Sequence, residues 1–201
     1  MRAPICVPSS IFSFLDVIYS ISMDLFLIAA ICFFIFLIAI FGFWIIFFLS
    51  YWTFFFGAGL NIAPKKIIRK MLKLAELRKG EILYDLGCGN GRILILGAKE
   101  FEAHGIGIEI SPFCYLWSKF NVINNSLSGK VKIKFGNFFK TPISDADVIT
   151  IFLSNRANKK LIPKFKKELK SGTRIVSYYW QIPGMIPEKV DKKAKIYMYR
   201  M

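Results

Sequence analysis

Histidine is nearly missing: one residue, His104, in 201. That excludes multi-histidine metal centres and any Ser-His or Cys-His arrangement not built on His104. Cysteine is sparse as well. Cys6, Cys32, Cys88 and Cys114 are scattered with no C-x-x-C spacing, which argues against zinc ribbons, iron–sulfur clusters and a disulfide scaffold, and suits a reducing compartment for the C-terminal part. No metal site is expected. Charge is missing from one region only. Residues 1–64 hold Arg2, Asp16 and Asp24 and nothing else, whereas residues 65–201 hold 27 basic and 11 acidic residues, a net of +16. Two sequences of different physical class therefore meet near Pro64, and neither contains an internal repeat.

The forty residues from Leu25 to Pro64 carry no charge. A bilayer core of ~30 Å takes ~20 apolar helical residues, so this run predicts a transmembrane helix over 25–56. Asp16 and Asp24 stand where a signal peptide would place its basic residues. Trp44, Tyr51 and Trp52 cluster toward the C-terminal end of the run, where aromatic rings favour the headgroup zone. Lys65, Lys66, Arg69, Lys70 and Lys73 follow, against Arg2 alone on the other side. The positive-inside rule then places the C-terminal domain in the cytoplasm of a single-pass protein. The division expected is an extracytoplasmic or interfacial segment over 1–24, with Ile5–Ile21 as a short surface helix, then the span, a linker over 57–64 and a domain over 65–201.

That domain alternates. An amphipathic helix from Lys65 closes at Lys79-Gly80; strands are expected at Ile82–Leu86, Ala103–Glu109, Val131–Phe135, Asp147–Leu153, Thr173–Tyr179 and Ala194–Arg200. Helices are expected at Gly91–Glu100, Pro112–Asn125 and Asn158–Lys170. Strand–helix alternation implies right-handed βαβ units in a mostly parallel sheet covered on both faces, with an antiparallel C-terminal edge. The fold class is α/β, Rossmann-like, behind a membrane helix.

Chemistry concentrates in Asp85-Leu86-Gly87-Cys88-Gly89-Asn90-Gly91-Arg92, after a strand and opening a helix. Glycines there permit a tight turn and close backbone approach to a ligand. A dinucleotide fingerprint needs a third Gly where Arg92 stands. The loop is instead G-x-G-x-G behind an acid, which repels a pyrophosphate and suits the ammonium of an amino-acid moiety such as that of S-adenosylmethionine. Glu109 ends the next strand, placed to accept both ribose hydroxyls, with Ile110 beside it. Asn137 and Phe138 follow the third strand, candidates for the edge and face of an adenine.

Residues 61–201 resemble a class I S-adenosylmethionine-dependent methyltransferase. More narrowly, they resemble the small protein-lysine methyltransferases related to the ATP synthase c-subunit lysine methyltransferase. The resemblance is carried by Ala63-Pro64 with the helix to Leu77, the Asp85–Arg92 loop with Ile93, and Gly107-Ile108-Glu109. It continues in Asp147–Leu153, Leu161-Ile162-Pro163-Lys164, Leu169–Ser177 and the tail from Ile182-Pro183-Gly184 to Pro187-Glu188-Lys189. Asn137 stands where the class often has Asp. The resemblance implies S-adenosyl-L-methionine as cofactor, held by Asp85, Gly87, Gly89, Gly91, Glu109, Ile110, Asn137 and Phe138. It places the methyl acceptor at the end of the fourth strand, in a channel lined by Phe152, Leu153, Ser154 and Asn155.

Methyl transfer from a sulfonium is mostly a matter of positioning, and a lysine amine made neutral by a dry pocket needs no histidine. The expected partners are the bilayer and a membrane or membrane-adjacent protein. A lipid, a quinone or another hydrophobic small molecule is the alternative acceptor; a cofactor-sensing or RNA-binding membrane module is the non-enzymatic one. Nucleic acid is not the expected partner, because no aromatic-interleaved recognition motif accompanies the charge. Tyr178, Tyr179 and Trp180 are candidates for a wall around a lysine stem or for ordinary strand residues. The lysines between Lys159 and Lys170 read as a solvated helix face, and Cys88 as a small filler of a tight turn. Asp147 reads as a turn or capping residue.

Overall fold

The computed structural model describes the helix Ser9–Phe55 and residues 63–201; within that helix, side chains are described at Tyr19 and over 21–48. The chain separates into two compact units, residues 1–48 and residues 49–201.

The first unit contains α1 (Ser9–Phe55) as far as Phe48. Its stretch Ile21–Phe48, 28 residues with none buried, is long and apolar enough to cross a membrane. At ~1.5 Å per residue it measures about 42 Å, so a ~30 Å core leaves room for tilt. Residues 9–24 lie in the same helix as this stretch; the rest of the expected Ile5–Ile21 segment lies outside the described residues. The expected features at Tyr51, Trp52 and residues 57–62 lie outside the described side chains.

In the second unit the order is α2 (Lys65–Leu74), β1 (Ile82–Leu86), α3 (Arg92–Glu100), β2 (His104–Glu109), α4 (Pro112–Asn124) and β3 (Val131–Phe135). Then come β4 (Val148–Ile151), α5 (Asn155–Glu168), β5 (Arg174–Tyr178), β6 (Lys189–Asp191) and β7 (Ile196–Arg200). One sheet forms in the order β3-β2-β1-β4-β5-β7-β6. The first five strands are parallel, and β7 runs antiparallel to both β5 and β6. The Rossmann-like sheet with its antiparallel edge is therefore as expected. The strand order reverses between β1 and β4, the place where open α/β sheets leave a crevice beyond the strand ends.

Burial on both faces explains the apolar strands. All four residues of Val148–Ile151 are buried. One layer of core joins Met71, Leu72, Leu94 and Val122 to the sheet; the other joins Tyr84, Leu86, Phe165 and Tyr199. Arg174 fastens α2 to this frame. Its guanidinium donates to the Ala75 and Glu76 carbonyls, both at 2.9 Å, and to Glu81 Oε1 at 2.6 Å.

Several boundaries shift for local reasons. Helix α2 ends at Leu74, before Lys79-Gly80. Helix α5 begins at Asn155 because the Ser154 hydroxyl accepts the Ala157 N–H, capping the helix three residues earlier than the sequence suggests. Lys164 departs from the solvated-face reading: it is 9% exposed and donates to both oxygens of Glu168, at 2.7 and 2.9 Å. Asp147 behaves as expected, its carboxylate accepting the Ile82 N–H at 2.8 Å where β1 and β4 start.

Candidate active site

The C-terminal ends of β1, β2 and β4 bring three sequence candidates together. Asp85 lies on β1, Glu109 closes β2, and Leu153 follows β4. The Gly87–Gly91 loop ties them. Gly87 and Cys88 donate backbone N–H to the Ile108 carbonyl, at 2.9 and 3.2 Å. Gly89 N–H reaches Glu109 Oε2 at 2.8 Å. Gly87, Gly89 and Gly91 all take positive φ, 78°, 54° and 75°, a region that costs other residues ~1–2 kcal/mol. A methyl group on Gly87 would press on Leu153 Cδ2 at 3.3 Å, whereas one on Gly89 would meet open space. The Gly89 backbone is thus left uncovered for a ligand.

Asp85 is 3% exposed and accepts one hydrogen bond, from Thr150 Oγ1 at 2.9 Å. Burial pushes its carboxyl up to about 7; the Thr150 bond opposes this and the neighbouring Glu109 adds to it. Among the described residues no Lys or Arg pairs with it. A buried acid held up by lack of a countercharge is a receptor for a cation. Glu109 is also buried, but its oxygens are occupied: Oε1 accepts the Ile110 and Ser111 N–H groups, both at 2.9 Å, beside the Gly89 bond on Oε2. Oε1 thus has both lone-pair directions filled, and Oε2 retains one for a hydroxyl.

The remaining candidates divide. Asn137 Oδ1 accepts the Phe139 N–H at 2.9 Å and shapes the turn after β3. Phe138 is 5% exposed, packed against Phe139 at 4.6 Å between centroids and lying near Gly87. Leu153 is buried, while Phe152 meets Tyr178 at 4.5 Å between ring centroids. Tyr178, Tyr179 and Trp180 continue in ring contact. One face of Tyr179 is already taken by the chain's own Lys195, 4.2 Å from its centroid. Ser154 serves as the α5 cap and Asn155 is exposed. Cys88 is buried, its thiol pushed up mainly by burial, so it fills the turn and is no nucleophile.

Two buried polar residues were missed. Thr150 is the one polar residue of a buried strand, and that oddity was visible in the sequence. Asn158 was not: fully buried, it donates to Ser177 Oγ and the Gln181 carbonyl, while its Oδ1 has no partner.

The family described as the ANTKMT methyltransferase domain matches residues 85–189, from the buried acid of β1 to the first residue of β6. The chain belongs to this family. Relatives agree. A protein-lysine N-methyltransferase of Saccharolobus islandicus (strain REY15A) is 43% identical over 130 residues, covering 64% of this chain and 81% of that protein. The ATP synthase c-subunit lysine N-methyltransferase of Homo sapiens is 27% identical over 129 residues, 64% of this chain and 54% of that protein. The chain thus spans about half the length of that relative. A crystal structure from Salinibacter ruber, described as an RNA methyltransferase in complex with S-adenosyl-L-homocysteine, superposes with a TM-score of 0.68. It is 33% identical and covers 70% of this chain and 93% of that one. The ANTKMT-type domain here is a methyltransferase whose methyl donor is S-adenosyl-L-methionine. The residues present fit that donor: an uncompensated buried acid for its ammonium, a hydroxyl-accepting acid, and uncovered glycine backbone between them.

Proposed function

We propose that this enzyme methylates lysine side chains of a protein while anchored in a membrane by α1. The lysine acceptor is supported first by the 43% identical relative, a protein-lysine N-methyltransferase of which this chain covers 81%. The anchor is supported by the unburied stretch Ile21–Phe48. Tethering beside a membrane-bound target raises the local concentration of both.

S-adenosyl-L-methionine supplies, when bound, an electrophilic methyl group on a sulfonium. In this reading Asp85 takes the ammonium of the methionine part, Glu109 the ribose, and the Gly87–Gly91 backbone the approach between them; Asn137 and Phe138 border the adenine side. Phe152, Leu153, Ser154 and Asn155 line the acceptor channel. The apolar side chains Phe152 and Leu153 exclude water and favour the neutral amine, the form with a lone pair to attack. The rings of Tyr178 and Trp180 flank the stem, as Tyr179 already does for Lys195.

The test is transfer of labelled methyl from S-adenosyl-L-methionine by the full chain in membranes, with an Asp85→Ala/Glu109→Ala variant as control. Label in a protein band, recovered as methyl-lysine after hydrolysis, is expected. A second reading has two observations behind it: the Salinibacter ruber structure is described as an RNA methyltransferase, and residues 65–201 carry a net of +16. Label in extracted RNA and not in protein would replace the lysine reading with that one. Label in the organic extract would point to a hydrophobic small molecule.

A further inference from the structure

Helix α4 is built inside out. Its buried residues, Cys114, Ser118 and Val122, are small. The large apolar ones face outward: Phe113 is 61% exposed, Leu116 64%, Trp117 50%, Phe120 59% and Ile123 63%. They recur at helical spacing, so they form one stripe. Phe113, Trp117 and Phe120 touch in series, at 6.2 and 6.1 Å between ring centroids. An aromatic side chain presents ~150–250 Å², so five large side chains half to two-thirds exposed make a patch on the order of 500 Å². That is the size of the largest patch expected on a monomer, and such patches mark interaction sites.

Charge says what covers it. Residues 110–144 contain five lysines and no acid. Lys119 sits on α4 itself, within 5.4 Å of the Tyr115 ring. Aromatic and aliphatic side chains on one face, with Lys119 on the same helix and no acid anywhere in residues 110–144, are the composition of an interfacial helix on anionic lipid. We propose that the outer face of α4 is a membrane seat, lying in the headgroup region of an anionic bilayer. The helix begins three residues after Glu109, so the seat adjoins the cofactor end of the sheet. The seat draws on the membrane reading above, and the experiment separates the two.

Two single-tryptophan forms of the full chain are reconstituted in phosphatidylcholine vesicles, with or without phosphatidylglycerol, carrying brominated lipid as quencher. Trp44→Phe/Trp52→Phe/Trp180→Phe retains Trp117; Trp52→Phe/Trp117→Phe/Trp180→Phe retains Trp44. In anionic vesicles lipid quenching is expected at both, with Trp117 several-fold less open to acrylamide than in neutral vesicles. Adding Leu116→Glu/Phe120→Glu, both at exposed positions, should restore acrylamide access to Trp117 without loss of S-adenosyl-L-homocysteine binding. Quenching at Trp44 with none at Trp117 overturns the seat and leaves the span. Quenching at neither overturns both. Shielding of Trp117 that grows with protein concentration and owes nothing to lipid assigns the face to a second copy and overturns the seat.

Discussion

With Asp85 in its proposed role, cofactor binding becomes a proton-linked event. Its carboxyl stands at about 7 because burial strips away water and no cation replaces it. A ligand ammonium would bind the ionised form. Below pH 7 the site must first release a proton, so the binding constant should rise about tenfold per pH unit up to that point. At pH 6 about one Asp85 in ten is ionised, so affinity should lie about tenfold below its plateau. At higher pH, where the ligand's own α-amino group loses its proton, affinity should fall again. The assay is calorimetric titration of the full chain with S-adenosyl-L-homocysteine at pH 5.5 to 8.5, in buffers of different ionisation enthalpy. Close to one proton should leave per ligand at pH 6, and Asp85→Asn should abolish both the release and the acidic limb. Affinity flat between pH 5.5 and 7.5, or an unchanged acidic limb in Asp85→Asn, would refute the reasoning.

Thr150→Val removes the donor that holds the Asp85 carboxyl down, so the acidic limb in the same titration should move to higher pH. The ligand-free fold carries the opposite sign. A folded-state value of about 7 against 3.8 means the folded chain binds the extra proton between those values, so stability falls as pH rises from ~4 through ~7. The full shift corresponds to ~4 kcal/mol, and Asp85→Asn should raise the ligand-free melting temperature at pH 8 while lowering it little at pH 4. Gly107→Ala would put its methyl group 2.7 Å from Cys88 Sγ and Leu94 Cδ1. Chemical denaturation should show a loss of ~1–3 kcal/mol, with weaker cofactor binding because Cys88 lies between Gly87 and Gly89. Arg174→Met leaves Glu81 and two carbonyls without their buried donor. A loss of ~3–5 kcal/mol by the same measurement is expected, and a near-neutral result would show the clamp to be replaceable.

The central strands of this sheet were legible because burial on both faces demands continuous apolar runs, as in Val148–Ile151, and the edge strand β3 by its alternation Val131-Lys132-Ile133-Lys134-Phe135. Strand β6 was not. Lys189-Val190-Asp191 has no pattern of its own and becomes a strand by pairing with Ile196–Met198 of β7, a partner that no local window reveals. The glycine loop and the acids at Asp85 and Glu109 were readable as types at spacings. Their electrostatic states were not, since the burial of Asp85 and the three backbone donors on Glu109 depend on neighbours brought in by the fold. Phe138 shows the same limit: its position after β3 was readable, while its burial beside Gly87 depends on tertiary packing.

The carboxylate of Glu109 does two jobs with one set of oxygens. Oε1 gathers the N–H groups of Ile110 and Ser111, and Ser111 is the residue that caps α4 through the Cys114 N–H. The cofactor end of the sheet and the first turn of α4 are thereby one mechanical joint. If Glu109 holds the ligand as proposed, reciprocity follows from thermodynamics: a contact that shifts α4 shifts the free lone pair on Oε2, and a ligand that claims it biases α4 by the same free energy. A surface on which α4 rests and a nucleoside that Glu109 holds would then sense each other through a single hinge carboxylate, with no need for a long-range pathway between them.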